Sequence, residues 1–173
     1  PELEPAGLDR DPSRGLLLAD CLEVVHARGW NADAFVAPLR RACEHALADL
    51  QPPERARFWL TLGRLGLDER PGVGLRDDGL PDIAWEHCEA GDFLFGDPSE
   101  RRTLAMPFRI ARYPVTHRQF QAFVDAGGYE QDKWWAGLAQ GPEPTSARWI
   151  EPNAPRETVW EDEATAFCRG RDV

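Results

Sequence analysis

These 173 residues contain no apolar run near the about 18 residues that a membrane-crossing helix needs. No membrane partner is therefore expected. Positive charge is also scarce. Thirty acidic residues against 20 basic ones give a net charge of −10 and a pI near 4.9. The basic residues form no stripe, so neither nucleic acid nor an anionic lipid surface has a footprint. The opening PELEPAGLDRDPSRG is too polar for a secretory signal. Cysteines 21, 43, 88 and 168 include no Cys-x-x-Cys pair. Cys21 and Cys43 fall on the apolar stripes of expected helices, where a reduced thiol acts as a small hydrophobe. A cytoplasmic chain with free thiols is the expectation. Gly72-Val73-Gly74 lacks the flanking strand and helix of a phosphate-binding loop.

What is present is enough for a packed interior: 42% hydrophobic and 10% aromatic residues, which separates the chain from disordered ones. Residues 1–66 read as a helical segment. After the candidate cap Ser13, a stripe of Leu16, Leu17, Leu18, Cys21, Leu22 and Val25 has helical spacing, and Gly29 stops it. A second helix is expected from Pro38, with Leu39, Ala42, Cys43, Ala46, Leu47 and Leu50 on its apolar side. Gln51-Pro52-Pro53 breaks the chain, and Glu54–Leu65 reads as a third helix. No fixed-period repeat joins these helices, so a small bundle is favoured over a solenoid. Residues 67–82, rich in Gly, Pro and acids, read as a linker. From Ile83 the pattern turns to short strands: Ile83–Cys88, Asp92–Phe95 and Leu104–Tyr113.

Two helices follow, each behind a capping box. Thr116-x-x-Gln119 precedes Phe120, Phe123 and Val124, and Gly127-Gly128 ends that helix. Thr158-x-x-Glu161 precedes a stripe of Trp160, Ala164, Phe167 and Cys168. If Trp160 is buried in the shared core, Trp160→Ala costs about 3–5 kcal/mol.

Ala90-Gly91-Asp92-Phe93-Leu94-Phe95-Gly96, then Phe108 through Phe123, resembles the start of the formylglycine-generating-enzyme (sulfatase-modifying-factor) family. That family reads AG-x-F-x-M-G and then F-x-I-x-x-Y-P-V-T-N-x-Q-(FY)-x-x-F. Phe95 stands for the usual Met and His117 for the usual Asn. Thr158 to Cys168 is similar, with a one-residue offset, to its V-S-W-x-E-A-x-A-(FY)-C block. The resemblance implies an α+β chain: the helical segment, then, over residues 83–173, the N-terminal part of a C-type-lectin-like mixed α/β domain. It also implies a partner, namely a C-terminal fragment or continuation that completes the domain.

Candidate chemistry is thin. Glu86-His87-Cys88 places a metal-capable His beside a thiol, but strand neighbours face opposite ways. Cys43-Glu44-His45 fails similarly on a helix. Asp77-Asp78 and Glu161-Asp162-Glu163 lack the calcium-loop signature. Calcium is left to the complete domain, and no cofactor is expected in this chain. Copper enters only through the resemblance, whose catalytic members hold it with a late cysteine pair that neither Cys88 nor Cys168 matches. Trp134, Trp135 and Trp149, in the loop-rich stretch 127–155, are the candidate ligand-binding residues; anchoring that stretch to the core is their competing role. The expectation is a non-catalytic module that binds or displays a protein or small-molecule ligand, as variable proteins of diversity-generating retroelements do. The alternative is an oxidase converting cysteine to formylglycine, with its catalytic cysteines outside this chain.

Overall fold

The computed structural model describes residues 12–29, 50–143 and 148–171. The expected second helix at Pro38 and the Cys43-Glu44-His45 trio lie outside the described residues, apart from Leu50, which is buried. The chain divides into two units: residues 1–69 with 149–154, and residues 70–148 with 155–173.

Two helices organise the first unit: α1 (Pro12–Ala27) and α2 (Pro52–Arg64). Gly29, with φ +67°, takes the left-handed turn after α1. Helix α2 begins two residues before the expected start. Pro52 and Pro53 occupy its first turn, where a missing N–H costs nothing, and the Gln51 N–H donates to Glu54 at 2.9 Å. Leu22, Phe58 and Leu62 form the buried interior, whereas Leu17 and Cys21 of the expected α1 stripe are exposed. Arg57 pairs with Asp20 at 2.6 Å, and Arg64 pairs with Glu23 and with Glu151. These exposed pairs contribute about 0–1 kcal/mol each. The segment 149–154 lies against α2. Its Asn153 Nδ2 donates to the Trp59 carbonyl at 2.5 Å and to Asp68 at 2.6 Å. A Cβ at Gly63 would come within 2.0 Å of the Asn153 side chain, so this approach requires glycine.

The second unit carries four strands: β1 (Trp85–Cys88), β2 (Gly91–Phe95), β3 (Glu100–Leu104) and β4 (Phe108–Ala111). They form two antiparallel pairs, β1 with β4 (Trp85 opposite Ala111) and β2 with β3 (Gly91 opposite Leu104). The single strand expected over 104–113 is thus two elements. Pro107 has no N–H to continue a ladder, and the chain turns there. Polar Glu100–Thr103, with no apolar alternation to signal it, pairs with β2. Phe93, Leu94, Phe95, Phe108 and Ile110 are exposed.

The interior of this unit sits among three helices, α3 (His117–Asp125), α4 (Asp132–Trp135) and α5 (Glu161–Arg171). Phe120, Phe123, Trp135, Ala166 and Phe167 are buried together. Phe120 stacks on Phe167 with centroids 5.6 Å apart, and Phe123 meets Phe167 edge-on at 5.8 Å.

The start of α5 differs from expectation. Thr158 has φ +60°, whereas a cap residue takes an extended backbone, so it does not cap the helix. The cap position falls on Trp160, whose N–H donates to Glu163 at 2.8 Å. Trp160 is therefore 76% exposed and Cys168 is exposed as well, and neither has the core role expected of it. Glu163, Ala166, Phe167 and Gly170 face inward instead. The mixed helix and antiparallel strand content makes the chain α+β.

Candidate functional site

The cap of α3 does more than end a helix. Thr116 Oγ1 accepts the Gln119 N–H at 3.3 Å, and the Gln119 Oε1 accepts the Thr116 N–H at 2.9 Å. Both side chains then reach into residues 72–82, the stretch expected to link domains. Thr116 Oγ1 donates to the Val73 carbonyl at 2.9 Å. Gln119 Nε2 faces the carbonyls of Gly72 and Gly74 at 3.2 Å and of Asp82 at 2.5 Å. Gln119 is fully buried, so these bonds form away from water, where leaving them unmade is expensive. Over residues 72–82 the stretch is thus part of the second unit. Gly72, at φ +89°, donates its N–H to Asp82 at 2.6 Å, and a Cβ there would sit 2.5 Å from Ala84 Cβ.

The tip of this loop is fixed by Asp78. Its carboxylate accepts from Arg76 at 2.9 and 3.2 Å and from the Leu80 N–H at 3.1 Å. Those bonds, the Arg76 one first, hold the Asp78 carboxyl below its ordinary range. At the other end of α3, Gly127 takes φ +76°, and the Gly128 N–H returns to the Phe123 carbonyl at 2.9 Å. A Cβ at Gly128 would lie 2.5 Å from the Phe123 ring. The chain then passes through Tyr129 into α4, where the Trp135 indole N–H donates to the Gly128 carbonyl at 2.8 Å.

Together these elements line an open cavity of about 280 Å³. Leu80 and Pro81, Phe123 and Phe167, and Lys133 with Trp134 line it. The Lys133 ammonium lies 4.1 Å from the centre of the Trp134 ring.

The three candidate tryptophans separate. Trp135 is 5% exposed and belongs to the core. Trp134, half-buried, lines the cavity. Trp149, 44% exposed, belongs to the first unit. The loop tip at 78–81 and Gly170 also line the cavity. Sequence reasoning missed both, because a turn-rich stretch and a glycine in a helix give no signal of what they face.

Among the described residues, no three His, Cys, Asp or Glu side chains come together as a metal would need. Cys88 is half-buried on β1, Cys168 exposed on α5 and Cys21 exposed on α1. His87 pairs with Glu89 at 3.1 Å. Within the acidic runs, Asp78 is engaged as above, Asp162 by the Ala139 N–H at 3.0 Å, and Glu163 by Tyr129 and Trp160. No helix among the described residues is long and apolar enough to cross a membrane.

The profile of the sulfatase-modifying factor enzyme 1-like domain matches residues 85–172, half of the chain. The chain belongs to this family. The second unit is therefore sulfatase-modifying-factor-like in its strands, in α3 with its capping box, and in α5. Hercynine oxygenase from Mycolicibacterium thermoresistibile is 37% identical over 80 aligned positions, taking in 35% of this chain and 18% of the relative. Hercynine oxygenases from Mycobacterium tuberculosis and Mycolicibacterium smegmatis are 55% and 52% identical over 29 residues, or 17% of this chain and 7% of each relative. The chain thus spans less than a fifth of the length of these curated relatives. No solved structure matches it.

Proposed function

We propose that this chain is the structural front of an oxidative enzyme of the sulfatase-modifying-factor family, closer in activity to the hercynine oxygenases than to a ligand-display module. The observation that carries the reading is the 37% identity to a hercynine oxygenase over 80 aligned positions. Family membership alone leaves the choice open, because one fold hosts many functions. The display reading, with its link to diversity-generating retroelements, has no comparable support.

In this reading the chain's own residues build a platform, and the oxidising groups come from protein beyond these 173 residues. The exposed faces of the strand pairs, with Phe93, Leu94, Phe95, Phe108 and Ile110, are where such a continuation packs. Copper, if the enzyme uses it, is held outside the described residues.

The test is oxygen uptake by the full-length protein, reconstituted with candidate metals in turn and supplied with hercynine. Hercynine-dependent uptake and an oxygenated product support the reading. Hercynine-independent uptake with conversion of a cysteine peptide to formylglycine shifts it to the formylglycine-generating branch. Binding without uptake under any of these conditions restores the display module.

A further inference from the structure

The cavity under α3 is independent of that oxidative reading, and its chemistry is specific enough to name an occupant. Its floor and walls are largely aromatic and aliphatic: Phe123, Phe167, Trp134, Leu80 and Pro81. Volume decides between ligand classes. Drug-sized ligands occupy pockets of about 300–1,000 Å³, whereas a dry apolar cavity of about 150 Å³ admits benzene. A space of about 280 Å³ therefore suits one ring with a short arm.

The charges at the mouth set the arm. Two charged groups line the cavity, Asp78 and Lys133. Asp78 is offset by the Arg76 guanidinium and the Leu80 N–H, so its charge is already satisfied. Lys133 has no ion-pair partner among the described residues; its ammonium rests on the Trp134 face. An ammonium stacked on an indole that lines an apolar pocket is placed to receive a carboxylate from a ring lying in that pocket. The walls are also held in place before any ligand arrives. Gln119 fixes the 72–82 loop, and Arg169 donates to the Trp134 and Ala136 carbonyls at 3.0 and 2.9 Å. A preformed site avoids the ordering cost that weakens small-ligand binding.

We infer that this cavity is a binding site for a small aromatic carboxylate, its ring against Phe123 and Trp134 and its carboxylate on Lys133. The probe is phenylacetate, with phenylacetamide as the uncharged isostere, added to the whole chain while the indole N–H resonances are followed by NMR. Saturable shifts of the Trp134 signal, with the Trp149 and Trp160 signals unmoved, are expected. Phenylacetate should bind about fivefold more tightly than the amide, the range of a partly exposed ion pair. Lys133→Met, at an exposed position and checked for native circular dichroism, should erase that preference. Ala126→Trp, which crowds the mouth, should weaken both probes. The assignment is overturned by non-saturable or absent Trp134 shifts, by a preference that survives Lys133→Met, or by binding unaffected in Ala126→Trp.

Discussion

Tyr129 donates its phenolic O–H to Glu163 at 3.0 Å, and Glu163 is only 1% exposed. The same carboxylate accepts the Trp160 N–H, so one buried acid ties the loop after α3 to the first turn of α5. Burial, and then the bond to Glu163 and its charge, push the Tyr129 pKa well above the ordinary value near 10. The folded chain therefore holds this proton more tightly than the unfolded chain. The associated stability is fully present below about pH 10 and is lost as the pH rises above it. In an absorbance titration at alkaline pH, Tyr129 should stay protonated until the fold gives way. Tyr129→Phe should cost about 1–3 kcal/mol near neutrality, since Glu163 keeps an unfilled buried acceptor. It should also flatten the alkaline decline. Ionisation of Tyr129 while the fold is still intact, near the ordinary tyrosine value, would remove this account.

Gln119 should behave as a loop anchor. Gln119→Leu keeps the volume near that of the amide but strips the donor shared by the Gly72, Gly74 and Asp82 carbonyls. A loss of about 2–3 kcal/mol is expected from the unpaired groups. Amide exchange should quicken across residues 72–82 before it quickens in α5. Unchanged exchange there would mean that the loop is held by other contacts.

Trp160 and Phe167, seven residues apart in one expected stripe, should respond oppositely to truncation. Phe167→Ala removes a buried ring and should cost about 3–5 kcal/mol. Trp160→Ala, at 76% exposure, should fall within about 0.5 kcal/mol. Thermal melts of the two variants decide the matter, and comparable losses would mean that α5 faces the other way.

That contrast shows where sequence reading works and where it stops. The Thr116–Gln119 box, the Gly127-Gly128 stop and the Phe120–Phe123 stripe are local signals, and each appears in the fold as read. The face of α5 is not locally determined. A helix turns about 100° per residue, so shifting its start from Thr158 to Trp160 exchanges an inward Trp160 for an inward Glu163. A buried carboxylate is disfavoured by composition and becomes affordable only through Tyr129, more than thirty residues away in sequence. The pairing of polar Glu100–Thr103 with β2 and the return of Asn153 to α2 are likewise long-range events without a local pattern. The same limit governs the site. Trp134 was a visible candidate, but the loop tip that completes its cavity is brought there by Gln119, and no spacing in the chain reveals that contact.

Gly170 reports on the cavity floor. In an exposed helix, Gly→Ala ordinarily gains about 1 kcal/mol. Here a Cβ would lie 2.7 Å from the Phe123 ring. Phe123 cannot retreat, because Phe120 and Phe167 hold it edge-on at 5.8 Å each. Overpacking of this kind costs about 1–3 kcal/mol, and Gly170 stands next to the last residue of α5, where the propensity gain is smallest. The clash therefore wins, and Gly170→Ala should lower stability by about 1 kcal/mol. Phe123→Leu removes the atoms that the new methyl meets, so in the double variant the cost of Gly170→Ala should vanish or change sign. A double-mutant cycle by urea unfolding reads this directly as a coupling of about 0.5–3 kcal/mol. Strict additivity would show that α5 shifts to make room, and that the floor of the cavity is softer than the packing of Phe123 against Phe120 and Phe167 indicates.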